Sequence, residues 1–410
     1  MGLFYQRHGK KIWFIVVLLL SLYAGRWLSL QKPLWNDEIY TQERAIDALS
    51  YQDILAVKFV EGNNSPLFYI IQKAVCDLWG FQLPMEWKGE WYLSHPRAQF
   101  VMRLAPNLFM SLSIALIFYY FASRYSYGVG LYALMVTLST HMIWAYWAEA
   151  RPYALWIFLT TAQSLLFLQL IRHDRPSRCS WGLLCLVHIL LSLSVILSLG
   201  QILVVSGVLF YYKDKKPPIK FRQPARFLIK YFFLTVLPAG ICLFYYFVMP
   251  SSLFRYCVLQ PVQLILANVP VDRLCIFLLY IGFLGYCYHQ KGAQYKALFT
   301  KTLYPHENRT LCTMGVSYSM VIALMLAFAG TILLFCKTRE IPSQQTISLS
   351  DRYFMFLVPM QIIATTVFSC SMFRFFRKKK WILFNLVIAL GGLLVLRFLR
   401  TAVSVLAFYQ

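Results

Sequence analysis

Asp37 and Glu38 are adjacent carboxylates in the stretch Trp35-Asn36-Asp37-Glu38-Ile39-Tyr40-Thr41, directly after the first hydrophobic run. Neighbouring carboxylates repel, and partial burial raises the pKa of one of them. A carboxylate tuned in this way can act as a general base toward a hydroxyl or an amine. The same two residues also read as a helix start, with Asn36 or Asp37 as N-cap and acids favoured in the first turn. The two readings are compatible, because a helix start is one way to aim a carboxylate. Glu149-Ala150-Arg151-Pro152-Tyr153 places a second acid beside a guanidinium, with Pro152 suited to a first helical turn. Glu149 and Arg151 either pair with each other or serve a substrate, Arg151 by contacting a phosphate or by orienting Asp37. Asp351-Arg352-Tyr353 supplies another cation at the start of a late apolar run. Arg352 there is either a fork for a lipid phosphate or an anchor to headgroups.

These residues sit in a chain of 410 residues that is 59% hydrophobic and 13% charged. Several apolar runs reach the ~20 residues that a helix needs to cross a bilayer. The alternating segments of ~10 residues that mark a transmembrane β-barrel do not stand out. The fold class expected is therefore all-α, a polytopic transmembrane helical bundle. The formal charge of +23 does not point to nucleic acid, because Lys and Arg gather in short loops between apolar runs as topology signals do. The ten Cys are scattered, mostly within apolar runs, and no Cys-x-x-Cys occurs. They read as small buried hydrophobes, not as a disulfide framework or a zinc site.

The runs predict about eleven spans, near 12–30, 99–122, 128–147, 152–171, 181–196, 198–212, 227–249, 270–288, 313–336, 353–372 and 381–399. The first, which lacks a convincing cleavage site, reads as an uncleaved span. With the N-terminus cytoplasmic, every inner segment is basic and the C-terminus lies outside. Residues 31–98 then form one outer loop carrying a helix near 38–58 and an interfacial helix near 66–80, with Trp79, Trp87, Trp91 and Tyr92 at headgroup level. Residues 1–410 read as a single integral membrane domain. Nine of the 16 acids lie between Asp37 and Glu90, on that loop. Acids affect orientation little, so either chemistry outside the membrane or simple solvation accounts for their placement. His95, Arg97 and Arg103 precede or open the second span, and His95 reads as interfacial, since no second His lies at metal-ligand spacing.

Five motifs in order carry a resemblance: Asp37-Glu38-x-Tyr40-Thr41, Pro66-Leu67-x-Tyr69, Arg103-Leu104-x-Pro106-Asn107-Leu108, Glu149-Ala150-Arg151-Pro152-Tyr153-Ala154-Leu155, and Arg352-Tyr353 before an apolar span. Together they resemble glycosyltransferase family 39, the dolichyl-phosphate-mannose protein mannosyltransferase type and its aminoarabinose-transferring relatives, within the GT-C membrane glycosyltransferases. The likeness is strongest over residues 31–172. It implies a polyprenyl-phosphate sugar donor, a lipid, glycan or protein acceptor, inversion at the anomeric carbon, and an active site on the outer, periplasmic face of a bacterial inner membrane. On that pattern Asp37 is the catalytic base or an acceptor-binding carboxylate, and Glu38 assists it. Glu149, Arg151, Tyr153, Arg352, Tyr353, Asn64, Tyr69 and Arg103 are the substrate-binding candidates. Family members often carry His-Pro-Pro or Glu-Lys-Pro-Pro where this chain has Asn63-Asn64-Ser65-Pro66, which leaves a divalent metal as an open question, with Glu61 as a substitute ligand. No nucleotide-binding Gly-rich loop is evident, in keeping with a lipid-linked donor. The competing readings are a lipid-linked sugar transporter or flippase and an O-antigen ligase-like enzyme. A transporter predicts ionisable residues near span centres, whereas the charges here gather at span ends.

Overall fold

A computed structural model describes residues 2–59, 64–83, 95–172, 177–214, 224–248, 355–375 and 380–409. Among them there is no strand, only one isolated antiparallel bridge between Asn64 and Val195. The expected spans 270–288 and 313–336, Trp87, Trp91 and Tyr92, Glu61 and the Asp351-Arg352-Tyr353 motif lie outside the described residues. The described fold is an all-helical, membrane-type bundle. Among the described residues, four helical segments are long and apolar enough to cross a membrane: Gly9–Gln31, Pro96–Arg124, Tyr153–Ile171 and Leu228–Val248.

The first helix, α1 (Gly2–Gln31), packs antiparallel along α5 (Pro96–Arg124). Lys10 Nζ reaches the Ser123 carbonyl at one end (3.3 Å), and Asn107 Nδ2 donates to the Leu22 carbonyl further along (3.1 Å). The helices approach closely because position 25 is glycine. A Cβ there would sit 1.8 Å from Asn107 Oδ1 and 2.5 Å from Trp147 Nε1. Asn107 Oδ1 instead accepts from Trp147 Nε1 (3.1 Å) and from Ser111 Oγ (3.2 Å).

Proline shapes two of the long helices. Pro106, inside α5, has no N–H to give the Met102 carbonyl four residues earlier. That carbonyl accepts from Gln72 Nε2 (2.9 Å), which ties α4 (Leu67–Leu78) onto α5. Pro238 does the same in the segment built of α11 (Pro224–Tyr231), a π-helical turn (Phe232–Val236) and α12 (Leu237–Val248). The freed Leu234 carbonyl meets His188 Nδ1 (2.8 Å) and Ser206 Oγ (3.4 Å). A carbonyl only accepts, so His188 carries its hydrogen on Nδ1, and Nε2 accepts from Gln163 (2.9 Å). Gln163 Oε1 and Thr160 Oγ1 in turn accept from Gln201, whose own carbonyl takes the Trp156 indole N–H. This chain of bonds sews together α8 (Tyr153–Arg172), α9 (Arg178–Ser194), α10 (Ser198–Asp214) and the π-helical turn before α12.

Two expected elements are broken. The run 128–147 is not one helix: α6 (Tyr127–Leu138) stops and a short α7 (His141–Ala145) follows. The hydroxyls of Thr137, Ser139 and Thr140 fold back onto the Ala133 and Val136 carbonyls, competing with further helix. The carbonyls at the α6 terminus are then met by side chains, Leu138 by Trp144 Nε1 (2.6 Å) and Ser139 by Thr401 Oγ1 (3.0 Å). Thr401 belongs to the last described helix, α14 (Lys380–Tyr409), which follows α13 (Leu357–Phe375) and runs ten residues past the expected end at 399. The helix expected near 38–58 is also divided. It consists of α2 (Asn36–Thr41), a π-helical turn (Gln42–Asp47) and α3 (Tyr51–Leu55). Ser50 restarts the helix through a reciprocal cap, its hydroxyl accepting from Asp53 N (3.2 Å) while Asp53 Oδ2 accepts from Ser50 N (3.4 Å).

Gly25→Ala places its methyl into Asn107 and Trp147 and lowers stability by about 1–3 kcal/mol, the usual cost of overpacking. Gly182→Ala, on α9 with nothing within 4 Å of its Cβ, leaves stability level or raises it. Thermal unfolding of the two variants in the same detergent separates these outcomes.

Candidate active site

The site grows from the end of α1. The last carbonyls of a helix have no partner within it, and here Arg103 of α5 reaches across to meet them. Its Nη1 donates to the carbonyls of Ser29 (2.8 Å) and Lys32, and its Nη2 to that of Pro33 (2.9 Å). The two remaining N–H groups grip Glu38, Nε on Oε1 (2.9 Å) and Nη2 on Oε2. All five donors of the guanidinium are thereby used, and both side chains are fully buried, at 0% exposure. Glu38 is saturated in the same way. Its Oε1 also accepts from Ala150 N (2.7 Å) and its Oε2 from Trp35 N (3.2 Å). One ion pair thus joins α1, α2, α5 and the loop before α8.

Asp37, the neighbour of Glu38 on α2, points elsewhere and keeps 40% of its side chain exposed. Arg151 Nη2 lies 3.9 Å from Asp37 Oδ2. Arg151 Nη1 is fixed by the Asp37 carbonyl (3.2 Å) and Thr41 Oγ1 (2.7 Å), and Thr41 in turn donates to the Asp37 carbonyl (2.8 Å). Asp37 and Arg151, 114 residues apart, therefore meet, and the backbone bond between Ala150 and Glu38 is what brings the second loop there. The first turn of α2 does hold two acids, but its cap residue is Trp35, not Asn36 or Asp37.

Glu149 is the third carboxylate, 4% exposed. Lys32 Nζ stands 3.6 Å from its Oε2 and 5.9 Å from the centre of the Trp35 ring. Burial pushes the Glu149 carboxyl up to about 7, against the pull of Lys32, with the nearby Glu38 charge pushing the same way as burial and Arg151 and Arg103 opposing it. Burial also lowers the pKa of Lys32, although Glu149 and Glu38 both favour its charge. At 3.6 Å the attraction within the pair is weaker than the loss of water around each partner. Glu149 Oε1 makes no hydrogen bond. Of the readings open for this segment, the structure shows Arg151 against Asp37, while Lys32 is the cation at Glu149. The two residues flank Ala150, and each faces a different acid–base partner.

The remaining expected residues sit as follows. Asn64 Nδ2 donates to the Tyr69 hydroxyl (3.1 Å), and both are buried beside the bridge to the end of α9. Tyr153 opens α8 with its ring 4.9 Å from that of Tyr146. His95 caps α5, its Nδ1 accepting from Ala98 N (3.4 Å), and Arg97 holds the Trp79 carbonyl (3.2 Å). Among the described residues no group of three or more His, Cys, Asp or Glu side chains is placed to hold a metal ion. Sequence reasoning missed Lys32, Trp35 and Thr41. Lys32 at the end of an apolar run reads as an anchor to headgroups, and only the fold turns it inward. Thr41, at i+4 from Asp37 on a helix, was legible as its neighbour.

No protein-family model matches the chain, and no curated protein matches it in sequence. Among solved structures, ArnT from Cupriavidus metallidurans is similar, in the apo state and bound to undecaprenyl phosphate. The TM-score is 0.48 in each case, with 12% and 14% identity over 89% and 88% of this chain. The chain spans 60% of the length of each. The likeness to family 39 therefore stands on the motifs of the sequence.

Arg103→Met strands the Glu38 carboxylate and the end of α1, and lowers stability by about 3–5 kcal/mol. Glu38→Met with Arg103→Met recovers part of that loss, because no unpaired charge remains; denaturant titration in detergent reads both. Folding also carries a pH signature from Glu149. Its folded pKa of about 7 lies above the unfolded value, so the folded chain holds a proton that the unfolded chain has released. This contribution is fully present below the unfolded pKa and is lost as pH rises through about 7. Glu149→Gln removes that slope, and the difference in unfolding midpoint between the variant and the parent protein grows from pH 4.5 to 7.5.

Proposed function

We propose that this protein is a membrane glycosyltransferase that moves a sugar from a polyprenyl-phosphate donor to an acceptor at the non-cytoplasmic face of the membrane. The observation that carries the reading is the half-exposed Asp37 carboxylate beside Arg151. It is mounted on a buried ion pair that leaves it little freedom to move.

A sugar on a prenyl phosphate is already activated, because phosphate leaves as a stable anion. Such a reaction asks for a base at the acceptor, a cation at the departing phosphate and a site with little water. Asp37 takes the proton of the acceptor hydroxyl or amine as that atom bonds to the anomeric carbon. The bond from that carbon to the phosphate oxygen breaks, and its electron pair leaves with the lipid phosphate. Arg151 stands where it can hold Asp37 in place and offset the charge that develops on the phosphate. Glu38 and Arg103 take positioning roles in this scheme in place of the roles expected at the substrate. All their hydrogen-bonding capacity is spent within the protein. Arg352 and Tyr353 remain candidates for the phosphate end, and Glu149, Tyr153, Asn64 and Tyr69 for the substrate. The acceptor in this reading is a lipid, a glycan or a protein, and the motif resemblance supports a bacterial inner membrane location with the site facing the periplasm.

Asp37→Asn keeps the shape of the side chain and removes the base. Transfer falls by about 10²–10⁴-fold, while the purified variant unfolds within a degree or two of the parent. Mass spectrometry of envelope lipids and glycans from cells with and without the protein supplies the assay, since one enzyme's product differs by one sugar. Near-normal transfer by Asp37→Asn overturns the role given to Asp37. The same comparison is made on envelope proteins, and an unchanged set of lipids, glycans and proteins overturns the glycosyltransferase reading.

A further inference from the structure

Three carboxylates cluster here, and the fold treats them differently. Glu38 shows how completely this chain can satisfy a buried acid, with four donors on two oxygens. Glu149 is buried almost as deeply, yet its Oε1 accepts nothing and its Oε2 has Lys32 at 3.6 Å. Trp35 is the second anomaly. Its indole N–H is buried and likewise without a hydrogen-bond partner, although its ring flanks the same Lys32 ammonium. A buried acceptor and a buried donor are thus left open beside one lysine. Buried polar atoms without partners are rare and call for a ligand, a water or an ion.

We infer that Lys32, Glu149 and Trp35 form a subsite for a hydroxyl of the transferred sugar, which donates to Glu149 Oε1 and accepts from Trp35 Nε1. This rests on the glycosyltransferase reading and names the part of the substrate that the pocket takes. A hydroxyl can give one hydrogen bond and accept another, which matches one open acceptor and one open donor beside the same lysine. A phosphate only accepts and has nothing to offer Glu149, so the charged end of the donor lipid belongs nearer Arg151. Lys32 holds the carboxylate in place and keeps the pocket close to neutral. The rise of the Glu149 pKa to about 7 follows from its burial. A site built to bond a substrate hydroxyl also rejects the analogue that lacks it, since the pocket's own groups are then stranded.

The test compares lipids that differ only in the sugar. Full-length protein in detergent is titrated with undecaprenyl phosphate and with undecaprenyl phosphates bearing single neutral or amino monosaccharides, and affinity is read by thermophoresis. For at least one sugar the parent binds the glycosylated lipid about tenfold more tightly than the bare one, about 1.4 kcal/mol. Glu149→Gln and Trp35→Phe each reduce that increment to about twofold or less, and thermal unfolding in the same detergent shows that both are folded. Variants that keep the full increment, or a parent that shows none for any sugar, overturn the subsite while leaving the lipid-phosphate reading intact. A parent that binds neither lipid overturns both.

Discussion

A single guanidinium determines whether this site exists. Arg103 has five N–H groups and finds five acceptors, one carbonyl in the last turn of α1, two carbonyls just beyond it and two oxygens of Glu38. Those carbonyls need a donor because the helix has ended, and the carboxylate needs one because it is buried. The same residue therefore closes one helix and opens the next. The turn between them, Lys32–Trp35, is clamped at both ends, and it carries the side chains of Lys32 and Trp35. Glu38 extends the clamp to Ala150, so that the loop bearing Glu149 and Arg151 arrives with its register set. The loss of water by so buried a pair is costly, and the structure recovers it through hydrogen bonds that satisfy every atom involved.

The contrast among the three acids follows from how many donors each receives. Glu38 has four and is structural. Asp37 has a cation at 3.9 Å and keeps solvent access. Glu149 is buried with one oxygen unmet, and burial raises its pKa. Adjacency in the chain would suggest that Asp37 and Glu38 share a task, but successive residues on a helix point about 100° apart. One faces the framework and the other the opening.

Much of the architecture was readable because bilayer length and apolar runs constrain helices so strongly. The spans at 99–122, 152–171 and 227–249 fall within a few residues of Pro96–Arg124, Tyr153–Arg172 and Pro224–Val248. The break within 128–147 was hidden because hydropathy does not register Thr137, Ser139 and Thr140 turning their hydroxyls back on the helix. The restart at Ser50 had a signal, the Ser-x-x-Asp spacing, that the acidic loop obscured. In the site, the meeting of Asp37 with Arg151 was anticipated from residue type. The partner of Arg103 was not, because an arginine at the head of a span looks the same whether it faces lipid phosphate or a buried acid. Lys32 shows the same ambiguity. Charge and position are written in the chain, but the direction a long side chain takes is decided by packing.

Pro106 and Pro238 bear on how neighbouring helices find one another. Each withholds one amide hydrogen, and the acceptor so released is claimed by a side chain from another helix, Gln72 in one case and His188 in the other. In an apolar surrounding, where almost any greasy surface fits any other, these vacancies act as addresses. A helix that drifted by a single turn would leave its plug without a socket. The imino acids that weaken each rod along its own axis thereby give the assembly its selectivity from rod to rod.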